Sequence, residues 1–176
     1  MIPATPPRAS KVFNQWVQAW FHQCTMDSTN KTVIGTDGSY QVKGQGTAAF
    51  VVQCNNIMEF TSSQMVVVHS LYDAEMQAVH MAIVHISQQV MGPVIIFIDN
   101  QATLKSLFNT KPHSAFELSL ANCKILGDCI TQSQINTAKF RWIPSHLGFP
   151  INKLADAAAE ANLIGPFPFP QHTIAS

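Results

Sequence analysis

This chain carries little charge. Only 11% of its 176 residues are Asp, Glu, Lys or Arg, and these divide into 10 acids and 10 bases. A formal net charge of zero leaves little for a partner that is held by bulk electrostatics. No apolar run approaches the ~20 residues that cross a bilayer. The opening Met1-Ile2-Pro3-Ala4-Thr5-Pro6-Pro7 lacks the charged-then-apolar layout of a secretory leader. The expectation is a soluble intracellular protein, cytoplasmic or nuclear, with no membrane partner. Cysteine is sparse too: Cys24, Cys54, Cys123 and Cys129 show no C-x-x-C pairing and no His at zinc spacing. They are expected to be buried thiols in a reducing compartment. Internal repeats and low-complexity tracts are absent. At 47% hydrophobic residues, the chain is long enough for one domain with a real core.

With so few acids, where they stand matters. Asp99 follows Val94-Ile95-Ile96-Phe97-Ile98, an unbroken apolar run bounded by Gly92-Pro93. That pattern predicts a strand buried on both faces, with Asp99 at its carboxyl end, where open α/β sheets place their sites. Asp99 would equally suit the N-cap of a helix starting near Gln101. Glu75 lies in a predicted helix over 71–89, on the apolar stripe of Leu71, Ala78, Ala82 and Ile86. It therefore points inward, whereas a first-turn Glu serving only the helix dipole would face water. Asp37 follows the β-branched Thr32-Val33-Ile34-Gly35-Thr36, although Gly38-Ser39 after it also suits a plain turn. Asp156 lies in a short Ala-rich helix and, taken alone, could be a solvated helix residue. Buried carboxylates are costly unless compensated. A pair of divalent cations would compensate them, and carboxylate clusters holding two metals are the usual equipment for phosphodiester hydrolysis.

The order of these pieces carries more than any one of them. The chain reads T-D-G-S, then A-E within a helix, then a hydrophobic strand ending in D, then R-W-I-P-S-H-L-G-F-P-I-N-K-L-A-D-A-A-A-E-A. From Lys31 to Asn162 this resembles the ribonuclease H family, most of all the ribonuclease H domains of retrotransposon reverse transcriptases. Trp142-Ile143-Pro144-Ser145-His146-Leu147-Gly148, followed by Asn152, Ala155 and Asp156, is the most specific stretch. The resemblance places the family's four metal-binding acids on Asp37, Glu75, Asp99 and Asp156, and its mobile-loop histidine on His146. Asn100 stands where the family often has Ser, and the glycine-rich stretch after the first acid is shortened to Gly44-Gln45-Gly46.

What the resemblance implies is an endonuclease that hydrolyses the RNA strand of RNA–DNA hybrids and leaves 5′-phosphate products. Two Mg²⁺ ions, with Mn²⁺ as an alternative, would sit one near Asp37 and Asp156 and one near Asp37, Glu75 and Asp99. His146 would relay protons or help release product. Polar residues beside the acids, namely Ser39, Ser70, Tyr72, Asn100 and Gln101, are candidate contacts to the hybrid's minor groove, where the 2′-hydroxyl distinguishes RNA. Tyr72 would equally serve as packing at the helix start. A tethered reverse transcriptase polymerase is the expected protein partner. The alternatives are a catalytically idle scaffold of the same fold that binds nucleic acid or protein, and a DNA strand-cleaving relative. The first would be expected to have lost an acid; the motif around His146 speaks against the second.

Along the chain, residues 1–30 form an extension with an amphipathic helix over 11–24, 31–163 the ribonuclease H domain, and 164–176 a Pro-rich tail. Residues 1–10 are expected to be loose. Strands are predicted over 31–37, 46–53, 57–68, 94–98 and 138–143, with helices over 71–89, 101–109, 114–131 and 151–161. A meander followed by alternating helix and strand predicts an α/β, ribonuclease H-like fold: a mixed five-stranded sheet flanked by helices on both faces. His69, His80 and His85 are assigned structural or solvent-facing places.

Overall fold

The computed structural model describes residues 11–26, 31–41, 44–55, 57–89, 92–132 and 137–164. The Pro-rich opening, the tail from 165 onward and Asn56, between the strands predicted over 46–53 and 57–68, lie outside the described residues. In chain order the elements are α1 (Lys11–Met26), β1 (Thr32–Gln41), β2 (Gln45–Cys54), β3 (Ile57–Val67), α2 (Leu71–Gln89) and β4 (Val94–Ile98). Then come α3 (Gln101–Ser106), α4 (Phe116–Thr131), β5 (Ala138–Trp142), a 3-10 turn (Ser145–Leu147) and α5 (Pro150–Ile164).

β1, β2 and β3 pair antiparallel as a meander, while β4 is parallel to both β1 and β5. The five strands lie in the order β3-β2-β1-β4-β5, which is the mixed sheet the sequence predicts. β4 shows why: each of Val94, Ile95, Ile96, Phe97 and Ile98 is buried, because helices cover both faces. Ile34, Val94, Ile96 and Ile98 join Met76, Val79 and Ile83 of α2 and Leu126 of α4 in one apolar layer. Val33, Ile95 and Phe97, the alternate residues, join Ile151, Ala155 and Ala159 of α5 and Phe13 and Val17 of α1 in the other. The amphipathic helix α1 thus docks on the sheet.

Two expectations shift. β1 runs on to Gln41, so Gly38-Ser39 is strand rather than turn. Leu71 is 48% exposed, and burial along α2 begins at Ala74, so the stripe starts one turn later than the apolar pattern suggested. Cys54 and Cys123 are half-buried and Cys129 is buried, all as free thiols; the side chain of Cys24 lies outside the described residues. His80 Nδ1 bonds to the buried Asn122 Oδ1 at 2.7 Å, and His85 stacks on Phe60 with ring centres 4.5 Å apart. Among the described residues no helix is long and apolar enough to cross a membrane.

Candidate metal centre

Strand register puts the first two acids together. Thr36 pairs with Ile98 across the parallel β1 and β4, so Asp37, midway along β1, and Asp99, just past the carboxyl end of β4, stand side by side. Glu75 comes from the second turn of α2, which crosses β1 closely. A Cβ on Gly38 would lie 2.3 Å from the Glu75 nitrogen and 2.5 Å from the Ala74 carbonyl carbon. Only glycine allows that approach, and the Gly38 N–H donates to the Glu75 carboxylate. Carboxylate oxygens of Asp37, Glu75 and Asp99 all lie within 4.8 Å of one another.

The trio is unfavourable by itself. Asp37 is 8% exposed and Glu75 4% exposed. Burial, then the charges of Asp99, Asp156 and Glu160, push the Asp37 carboxyl from 3.8 up to about 8. Burial and the charges of Asp99, Asp37 and Asp156 hold Glu75 well above the usual carboxylate range, against the lowering effect of the Gly38 N–H. Glu75 Oε2 is buried without a hydrogen-bond partner among the described residues. Hard oxygen donors with no Cys or His among them, one orphaned and all mutually repelling, fit Mg²⁺ or Mn²⁺.

The other predicted residues fall around this centre. Asp156 sits on the exposed side of α5, close enough for its charge to act on Asp37 and Glu75 but outside the oxygens grouped within 4.8 Å. His146 lies in the 3-10 turn before α5, and its side chain is outside the described residues. Ser70 caps α2: its Oγ accepts from the Asp73 N–H at 3.2 Å and donates to the Asp73 carboxylate at 2.9 Å. Asn100 caps α3, accepting from Ala102 and Thr103 at 2.9 and 3.2 Å. Asp99, one residue earlier, is therefore not the cap. The Tyr72 hydroxyl bonds to Ser106 Oγ at 2.7 Å, so it ties α2 to α3. The hydroxyl of Ser39 is buried without a partner among the described residues. Gln101, half-buried, opens α3 two residues after Asp99.

Three contributors had no assigned role in the sequence. Besides Gly38, the Trp142 Nε1–H donates to the Asp99 carbonyl at 2.8 Å, and the Asn152 amide donates to Asp99 Oδ2 at 3.3 Å. Both residues lie in the R-W-I-P-S-H motif and its continuation. Asn152 is one helical turn before Asp156, a spacing that puts the two on one face of α5.

Gly38→Ala should cost stability on the order of 2 kcal/mol or more, since backbone rather than a flexible side chain blocks the new methyl. It should also displace Glu75. Thermal melting with and without Mg²⁺ checks this: the variant should melt lower, and the cation should raise its melting temperature less than it raises the wild type's.

The family model described as RNase H matches residues 29–164, a stretch that contains all five strands and α2 to α5. No curated protein matches the chain. With most of the chain covered, and the acids of T-D-G-S, A-E and the β4 end brought onto one spot, the chain belongs to the ribonuclease H family of nucleases.

Proposed function

We propose that this chain is an endonuclease that hydrolyses the RNA strand of RNA–DNA hybrids, working within a retroelement reverse transcriptase. The observation that carries the proposal is the convergence of Asp37, Glu75 and Asp99 from three separate elements within 4.8 Å. Asp156 would complete the ligand set. When bound, two divalent cations supply Lewis-acid polarisation of the scissile phosphate and lower the pKa of the attacking water. The chain's own residues do the positioning. Asn152 and Trp142 fix the Asp99 carboxylate and backbone, and the Gly38 N–H fixes Glu75. His146 relays protons or helps release product, and the products carry 5′-phosphates. Gln101 is the foremost groove contact. Ser70 and Asn100 support it through the helix starts they cap, Tyr72 by tying α2 to the end of α3, and Ser39 lies beside Asp37 on β1. The reverse transcriptase setting is supported by the likeness around His146.

The test is a labelled hybrid with and without Mg²⁺, beside Asp99→Asn. Cutting confined to the RNA strand, dependent on the cation and lost in Asp99→Asn, is expected. Equal cutting by both proteins, or by neither, removes the assignment.

Net charge sets a second expectation. The segment 105–139, where some members of the family carry a basic handle, has scattered lysines offset by Glu117 and Asp128. The isolated chain should bind hybrid no better than roughly micromolar at physiological salt. A titration of Kd against salt measures this; nanomolar binding at physiological salt would contradict it and remove the argument for a tethered partner.

A further inference from the structure

Helix α1 precedes the stretch that matches the family, which begins at residue 29. It is nevertheless part of the core, with Phe13 and Val17 5% and 3% exposed. Two of its contacts fall on the short connection between β5 and α5. Gln18 Nε2–H donates to the Leu147 carbonyl at 2.8 Å. The Phe21 ring centre lies 4.5 Å from that of Phe149 and 4.8 Å from that of Phe97 on β4. One side chain thus joins the connection to the strand that leads into Asp99.

Among the described residues, that connection has little to hold it from within. It consists of the three-residue 3-10 turn, closed by a long Leu147-to-Pro144 backbone bond of 3.4 Å, then Gly148 at φ 70°, then Phe149. A single 3-10 turn has poor hydrogen-bond geometry and few bonds. Its placement must come from outside contacts, and α1 supplies two of them. The connection carries His146 and leads into α5, whose Asn152 bonds to Asp99.

We propose that α1 is a positioning element of the nuclease site: it clamps residues 145–149, and through them places the His146 segment for its part at the carboxylate cluster. The proposal rests on the role given to His146 above. Gln18 and Phe21 touch no reacting atom in this scheme; they act through the backbone of the connection. Because α1 comes before the nuclease domain in the chain, a module joined ahead of it would gain a lever on the site. Pulling α1 off the sheet would loosen the histidine's segment while leaving Asp37, Glu75 and Asp99 on their own elements.

The experiment uses the full chain carrying Gln18→Ala, Phe21→Ala, His146→Ala and the Gln18→Ala/His146→Ala pair. Amide hydrogen exchange should quicken by roughly tenfold over 145–149 in Phe21→Ala, and by less in Gln18→Ala. Peptides covering Gly38 and Glu75 should exchange at the wild-type rate. On hybrid substrate, Gln18→Ala should lower kcat by roughly 3- to 10-fold, with KM and the Mg²⁺ dependence unchanged. In the His146→Ala background the Gln18 change should have no further effect. Wild-type exchange over 145–149 in both α1 variants would overturn the proposal. So would losses that multiply in the double variant, or a His146→Ala protein as fast as wild type. A wild-type chain that cuts no hybrid would remove the nuclease assignment instead, and the exchange measurement would still decide whether α1 holds the connection.

Discussion

Asp37→Asn should lower kcat on hybrid by roughly 10³-fold or more, because several kcal/mol of charge stabilisation at the phosphate would depend on the cations it would help hold. The same substitution should make the protein more stable in chelator. Asp37 is buried at a point where Glu75 and Asp99 also place carboxylate oxygens, so its charge raises the energy of the folded state. An amide keeps the shape and removes the charge. At pH 8 in chelator the variant should melt higher by roughly 5–10 °C. In Mg²⁺ the gap should close or reverse, since the wild type alone gains fully from the cation. A merely structural Asp37 gives the opposite pattern: a lower melting temperature in chelator, with cleavage falling only as far as stability does.

The second large effect is on stability against pH. In the unfolded chain Asp37 ionises near its ordinary 3.8, and in the folded, cation-free chain near about 8. The folded state binds that proton more tightly. Its contribution is complete below about pH 4 and is lost as pH rises through about 8. Glu75, held well above its ordinary value, acts in the same direction. In EDTA, stability should fall between pH 5 and pH 8 by on the order of 1–2 kcal/mol per pH unit for the coupled pair. In saturating Mg²⁺ the fall should flatten, because the cation favours the ionised acids and replaces the proton. Melting curves in both buffers decide this. A chelated protein that gains stability from pH 5 to pH 8 would show that these acids are paired within the protein instead of poised for a cation.

Much of this site was legible because two of its acids close strong local patterns. The run Val94 to Ile98 has no polar residue, so it had to be an interior strand, and its end fixed Asp99. The 3.6-residue period of α2 put Glu75 on the inward face, where it is 4% exposed. Neighbours with similar chemistry were harder. Asp99 and Asn100 are both good helix caps, and only the folded helix start shows Asn100 accepting the two N–H bonds. Asp-Gly-Ser has the composition of a turn. Gly38 instead serves a crossing helix 37 positions away, a tertiary demand that no local pattern records. Asn152 meets Asp99 across 53 residues, and Trp142 meets it across 43. Such contacts follow from topology, with motif membership as their only sequence trace. The amphipathic stripe of α1 announced a helix with something to cover, but not that it would cover Phe97 and Phe149.

Metal-dependent hydrolysis requires divalent cations where Asp37, Glu75 and Asp99 meet. Crystals grown with Mn²⁺ would test this most directly, through the anomalous scattering of the metal. A strong anomalous peak among those three carboxylates, absent from crystals of Asp37→Asn, is the predicted result. Saturating Mn²⁺ that leaves this spot without a peak, or that binds only at acids elsewhere on the surface, would contradict it.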